Sequence, residues 1–74
     1  MDKLRVRVIS RGLRAEVTDE STRLVFLLEE DLRPAYRFTR RARWRVRVVE
    51  RAGPGLPREE YIWWARAAMQ ALRD

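Results

Sequence analysis

The sequence contains no cysteine and no histidine. The first absence excludes disulfides, thiolate metal sites and a cysteine nucleophile. The second removes the commonest metal ligand and the usual general base. Carboxylate-held hard cations are the metal chemistry that remains. No apolar run approaches the ~20 residues of a membrane span. Glycine and proline number three each, and none of them lies between Ala35 and Glu50, so a tight turn there has little to build on. Lysine is reduced to Lys3 alone, against sixteen arginines. That skew has two readings. One is a surface that uses the planar guanidinium to hold phosphate; the other is a GC-rich, thermophilic genome.

What is present fits one small domain spanning 1–74. A chain of this length buries only about 60% of its unfolded surface. With disulfides and thiolate metals excluded, oligomerisation is the usual support left. The opening Met1-Asp2-Lys3-Leu4-Arg5-Val6-Arg7 is charged throughout, unlike a signal peptide. Together with the missing cysteine, this predicts a cytoplasmic protein with no membrane partner.

The formal charge of +6 is concentrated in one place. Residues 1–36 carry seven basic and seven acidic side chains, and 52–74 carry three of each. Between them, Arg37 to Arg51 holds seven arginines against Glu50. Such a local excess is the electrostatic signature of a polyanion partner.

Period-two alternation dominates the first fifty residues and predicts half-buried strands over 3–10, 13–18 and 22–30. The turns are Ser10-Arg11-Gly12 and Asp19-Glu20-Ser21. In the third strand Leu24-Val25-Phe26-Leu27-Leu28 is apolar on both faces, as in a central strand or one covered by a partner. Asp31-Leu32-Arg33-Pro34 ends it. Residues 35–50 alternate with Tyr36, Phe38, Ala42, Trp44, Val46 and Val48 on even positions. Arg37, Arg41, Arg43, Arg45, Arg47 and Arg51 are on odd ones. Arg40 and Val49 break the pattern. This segment is either one strand bent or bulged near Thr39 to Ala42, or two short strands around a three-residue loop. Ala52 to Pro57 reads as a loop, followed by a helix over 57–73 with Glu59 and Glu60 in its first turn, where the dipole favours acids. The predicted class is α+β: a small antiparallel meander of four or five strands with one C-terminal helix on one face.

On that helix, Tyr61, Trp64, Ala65, Ala68, Ala71 and Leu72 form a core stripe, which Ile62, Met69 and Ala67 widen. Trp63 falls in the polar arc. Either arginine stems lie against its ring, or it belongs to a contact surface. The contact reading groups Ile62, Trp63 and Met69 with the outward residues Val25 and Leu27 and predicts a homodimer or higher oligomer.

If the helix covers the even face, the opposite face presents Arg5, Arg7, Arg14, Arg37, Arg43, Arg45 and Arg47, and Arg23 if its phase matches. Arg41 shares the odd phase. Arginines on alternate strand residues repeat at about 6.6–6.8 Å, close to the stretch of a single-stranded backbone. Arg5, Arg7, Arg14, Arg37, Arg41, Arg43, Arg45 and Arg47 are therefore the candidate nucleic-acid contacts, with single-stranded DNA or RNA favoured over duplex. A solvated arginine face paired with Glu16, Glu29 and Glu30 is the plainer reading. A face for an acidic protein partner is the other alternative. Asp19-Glu20, Glu29-Glu30-Asp31 and Glu59-Glu60 read as solvated carboxylates. Gly53-Pro54-Gly55 lacks the Lys-Ser/Thr of a phosphate loop. The sequence thus predicts a non-enzymatic protein with no cofactor and no metal. The order of strands followed by a C-terminal helix resembles the coarse plan of Whirly-type and Pur-type single-stranded nucleic-acid binders. The resemblance is of element order, without a shared residue motif, and implies a dimer that uses its sheet faces.

Overall fold

A computed structural model describes residues 4–31 and 43–73. Strands β1 (Arg5–Ile9), β2 (Arg14–Thr18), β3 (Arg23–Glu30) and β4 (Trp44–Ala52) precede one helix, α1 (Arg58–Arg73). The sheet order is β1-β2-β3-β4 with every neighbouring pair antiparallel. The α+β meander expected from alternation is the fold of the chain. The first three strands and the helix match their expected spans to within two residues. β4 extends past Glu50 to Ala52. The question of one strand or two over 35–42, and the bend expected near Thr39 to Ala42, lie outside the described residues.

Two cross-strand rows explain why the sheet has a core face. Val6, Val17 and Leu24 stand side by side, as do Val8, Ala15, Phe26 and Val48. α1 lies over these rows, packing most heavily on β2. The buried centre is Ala15, Val17, Leu24, Phe26, Trp64 and Ala68, with Leu4, Val46, Val48, Leu56, Ala65 and Leu72 packed around it. Ala15 and Ala68 are fully buried, and small residues on both layers let the helix approach the sheet closely. Tyr61 leans on Phe26 with ring centroids 5.9 Å apart. Away from β2 the cover thins, and Val6 and Val8 on β1 stay exposed.

The connections are specified locally. Between β1 and β2, Ser10, Arg11 and Gly12 all have positive φ (53°, 58° and 87°), a conformation only Gly12 adopts without steric cost. The Leu28 N–H donates to the Leu13 carbonyl at 2.8 Å and ties this turn to β3. Between β2 and β3, the Asp19 carboxylate accepts from the Ser21 and Thr22 N–H groups, both at 2.8 Å. The Thr22 hydroxyl donates to the Pro54 carbonyl at 3.1 Å. Gly53, at φ 93°, packs so tightly on this turn that a β-carbon would overlap the Ser21 carbonyl oxygen. The loop leading to α1 is thereby pinned to the β2–β3 turn.

One irregularity decides which side chains reach which face. Val25 pairs with Glu50, but Phe26 pairs with Val48. Val49 is the extra residue of a β-bulge, which inverts the alternation beyond it. Glu50 therefore joins the outer face opposite Val25, and Arg51 turns to the helix side opposite Leu24. The break in alternation at Val49 is the signal of this bulge in the sequence. It takes Arg51 out of the odd-numbered phase that the sequence assigns to it with Arg45 and Arg47.

Candidate nucleic-acid interface

The sheet face away from the helix carries Arg5 and Arg7 from β1, Arg14 and Glu16 from β2, Arg23 and Glu29 from β3, and Arg45, Arg47 and Glu50 from β4. Antiparallel register sets acids beside bases: Arg7 faces Glu16, and Arg45 faces Glu29. Two clusters result. In the first, Glu16 accepts from Arg23 Nε at 2.6 Å and pairs with Arg7 at 3.2 Å, while Arg23 reaches Glu50 at 3.5 Å. In the second, Glu29 accepts from Arg45 Nε at 2.9 Å and Arg47 Nε at 3.0 Å, one guanidinium on each carboxylate oxygen.

These pairs are layered. The side chains of Glu16 and Glu29 are 14% and 23% exposed, whereas those of Arg7, Arg45 and Arg47 are 70%, 51% and 54% exposed. The Glu16 and Glu29 carboxylates lie low on the sheet and the guanidinium groups of Arg7, Arg45 and Arg47 stand above them, whereas Glu50, 55% exposed, is more open than its partner Arg23. Each guanidinium has five N–H donors, and a single shared carboxylate leaves several of them for an incoming anion.

The same clusters cover the apolar outer half of β3. Val25 lies between Glu16 and Glu50 in register, and Arg23 bridges those two carboxylates above it. Val25 is fully buried. It is therefore no part of an accessible contact surface, contrary to the expectation from its position. Its cover is an ion-pair chain of its own sheet. Leu27, between Arg14 and Arg47 in register, is half-buried.

Arg5, Arg7, Arg14, Arg45 and Arg47 lie together on the outer face. Arg43 is exposed just before β4, with its carbonyl accepting from the Asp31 N–H at 2.7 Å. Arg37 and Arg41 lie outside the described residues. Arg23, expected on this face only if its phase matches, is the hub of the first cluster. Trp44 pairs with Glu30 at the end of the β3–β4 ladder and is 55% exposed. The expected core role does not hold for it, because the main cover of α1 lies over β2. On the helix, Ile62 and Trp63 are exposed and Met69 is half-buried. Arg66 lies 5.4 Å from the Trp63 ring centroid, yet 52% of that tryptophan remains open to solvent.

Electrostatics follow from the pairing. The Arg23 hydrogen bond, helped by the Arg7 charge, holds the Glu16 carboxyl below its ordinary value of 4.5. Hydrogen bonds from Arg47 and then Arg45 do the same to Glu29. The Ser21 and Thr22 backbone amides lower Asp19. Groups depressed in the folded state add stability that is complete above their unfolded value and is lost as pH falls through the folded one. The melting temperature is therefore expected to hold between pH 7 and about 5 and to drop below pH 4.5. Glu29→Gln should flatten part of that drop. Thermal melts of both proteins from pH 7 to pH 2.5 test this, and equal slopes would remove Glu29 from the explanation.

No family model, curated protein or solved structure matches the chain. Among the described residues no helix is long and apolar enough to cross a membrane, and no group of acidic side chains is arranged to hold a metal ion.

Proposed function

We propose that this protein binds nucleic acid through the outer face of its sheet, with Arg45 and Arg47 as the central phosphate contacts and Arg5, Arg7, Arg14 and Arg43 around them. The observation that carries this reading is the layering of the ion pairs. A face built only to neutralise itself would bring both signs equally to its surface. Here Glu16 and Glu29 sit low and hold the guanidinium groups of Arg7, Arg45 and Arg47 up, while Glu50 stays exposed beside Arg23. Six arginines against three glutamates leave this face with net positive charge.

Single strands are favoured by the geometry of β4. The spacing of Arg45 and Arg47 along β4, about 6.6–6.8 Å for alternate residues, suits an extended backbone. Trp44, though exposed, stands on the helix side of the sheet with Val46 and Val48 and lies outside this face. Binding of a labelled single strand, followed by fluorescence anisotropy between 50 and 200 mM salt, is the direct test. A steep linear fall of log K with log salt is expected, with duplex DNA of equal length binding more weakly. No binding at low salt would end the proposal and leave an acidic protein surface as the partner to seek.

The proposal includes self-association through the outer helix face, where Ile62 and Trp63 remain exposed. Light scattering should give at least twice the 8.9 kDa chain mass, and Trp63→Glu should return the protein to a monomer. A monomeric mass for the unmodified chain would remove this part without touching the arginine face.

A further inference from the structure

We infer that the protein has a second binding site, on the helix side of the sheet, for a small aromatic anion. The bulge at Val49 creates it. By turning the chain over, it places Arg51 on the core side of β4, opposite the buried Leu24. A cavity of about 400 Å³ opens there, lined by Leu24, Val48, Arg51, Gly53, Leu56 and Tyr61. Its volume falls within the range of small-molecule sites. β-Bulges recur where a strand must re-aim one side chain, and here that side chain is a guanidinium beside Leu24, Val48, Leu56 and Tyr61 and the polar backbone of the Ala52–Gly55 loop.

The chemistry of the walls selects the ligand class. Tyr61 is 37% exposed and backed by Phe26, so its ring is a positioned flat surface. Leu24, Val48 and Leu56 complete the apolar lining. Arg51 is exposed and makes no ion pair with another described residue, so its forked donors are free to take a carboxylate or phosphate in bidentate geometry. The rim is held in place: Gly53 packs on the Ser21 carbonyl, and Thr22 holds the Pro54 carbonyl. A planar ring carrying one anionic group satisfies both halves of this site. An aromatic carboxylate and a nucleoside monophosphate share that chemistry. The site faces away from the outer arginines and does not depend on the nucleic-acid reading.

Titration of the full chain, followed by amide NMR shifts, tests it with benzoate, adenosine monophosphate and inorganic phosphate as probes. Benzoate or the nucleotide is expected to shift the Arg51, Gly53, Gly55, Leu56 and Tyr61 amides saturably in the micromolar to millimolar range. The tighter of the two identifies the source of the anion, and inorganic phosphate should bind at least tenfold more weakly than that probe. Arg51→Gln should weaken binding tenfold or more and Arg51→Lys severalfold, because lysine keeps the charge but loses the fork. Arg73→Gln, at the exposed far end of α1, should change nothing at these amides. The same spectra report whether each variant is folded. Absence of saturable shifts with both aromatic probes overturns the site. So does equal affinity for inorganic phosphate, or undiminished binding by folded Arg51→Gln.

Discussion

Phe26→Ala should sharply lower the melting temperature of this protein. Phe26 is the largest fully buried side chain among the described residues and sits on β3, a central strand of the sheet. It is flanked in register by Ala15 and Val48 and meets Tyr61 from the helix. Removing such a ring costs about 3–5 kcal/mol, as lost transfer energy and as the cavity left behind. A domain of this length has a total stability on the order of 4–11 kcal/mol, at about 0.05–0.15 kcal/mol per residue. The substitution consumes a large share of that margin. At roughly 4–8 °C per kcal/mol for a domain of this size, the melting temperature should fall by about 12–40 °C. Phe26→Leu keeps most of the volume and should cost roughly half as much or less. Thermal melts by circular dichroism decide the matter. A loss below 1 kcal/mol in Phe26→Ala would mean that the helix and sheet do not share the core described here.

The strands were readable because each has one wet and one dry face. In β2, Arg14, Glu16 and Thr18 alternate with Ala15 and Val17, and the register follows from that phase. The helix was readable from its proline, its early glutamates and one apolar stripe. Val25 misled for a physical reason. Alternation tells which way a side chain points, and burial depends on what its neighbours do above it. Long charged side chains cover apolar surface with their stems, and a salt-bridge chain over a valine leaves no trace in periodicity. Arg51 misled because a period-two argument assumes no inserted residue, and a bulge breaks the phase for everything after it. Trp44 misled because a core-facing position needs a cover. A single helix of 16 residues, about 24 Å long, lies mainly over β2 and leaves the far end of the β3–β4 ladder uncovered. The arginine face was visible as charge, but its layering depends on side-chain conformations that composition does not encode.

That layering gives the arginine face its most demanding test. Replacing Arg43, Arg45 and Arg47 together by glutamine should reduce single-strand affinity by a factor of about 10²–10³ at 50 mM salt. The estimate follows from counterion release. Each phosphate contact to a single strand contributes about 0.7 to the slope of log K against log salt, which at 50 mM amounts to roughly eightfold per contact. Three contacts give about 500-fold, and the slope should become shallower by about 2. All three arginines are exposed, so the circular dichroism spectrum should be retained. Glu29 supplies the internal control, because it holds both Arg45 and Arg47. If it acts as a support, Glu29→Gln lets the two guanidinium groups wander and leaves the salt slope unchanged. If it acts as a competitor for phosphate, the same substitution tightens binding at every salt concentration. A triple variant that stays folded and binds as tightly as the original would remove β4 from the interface. The charge between Arg37 and Arg51 would then be a solvated surface.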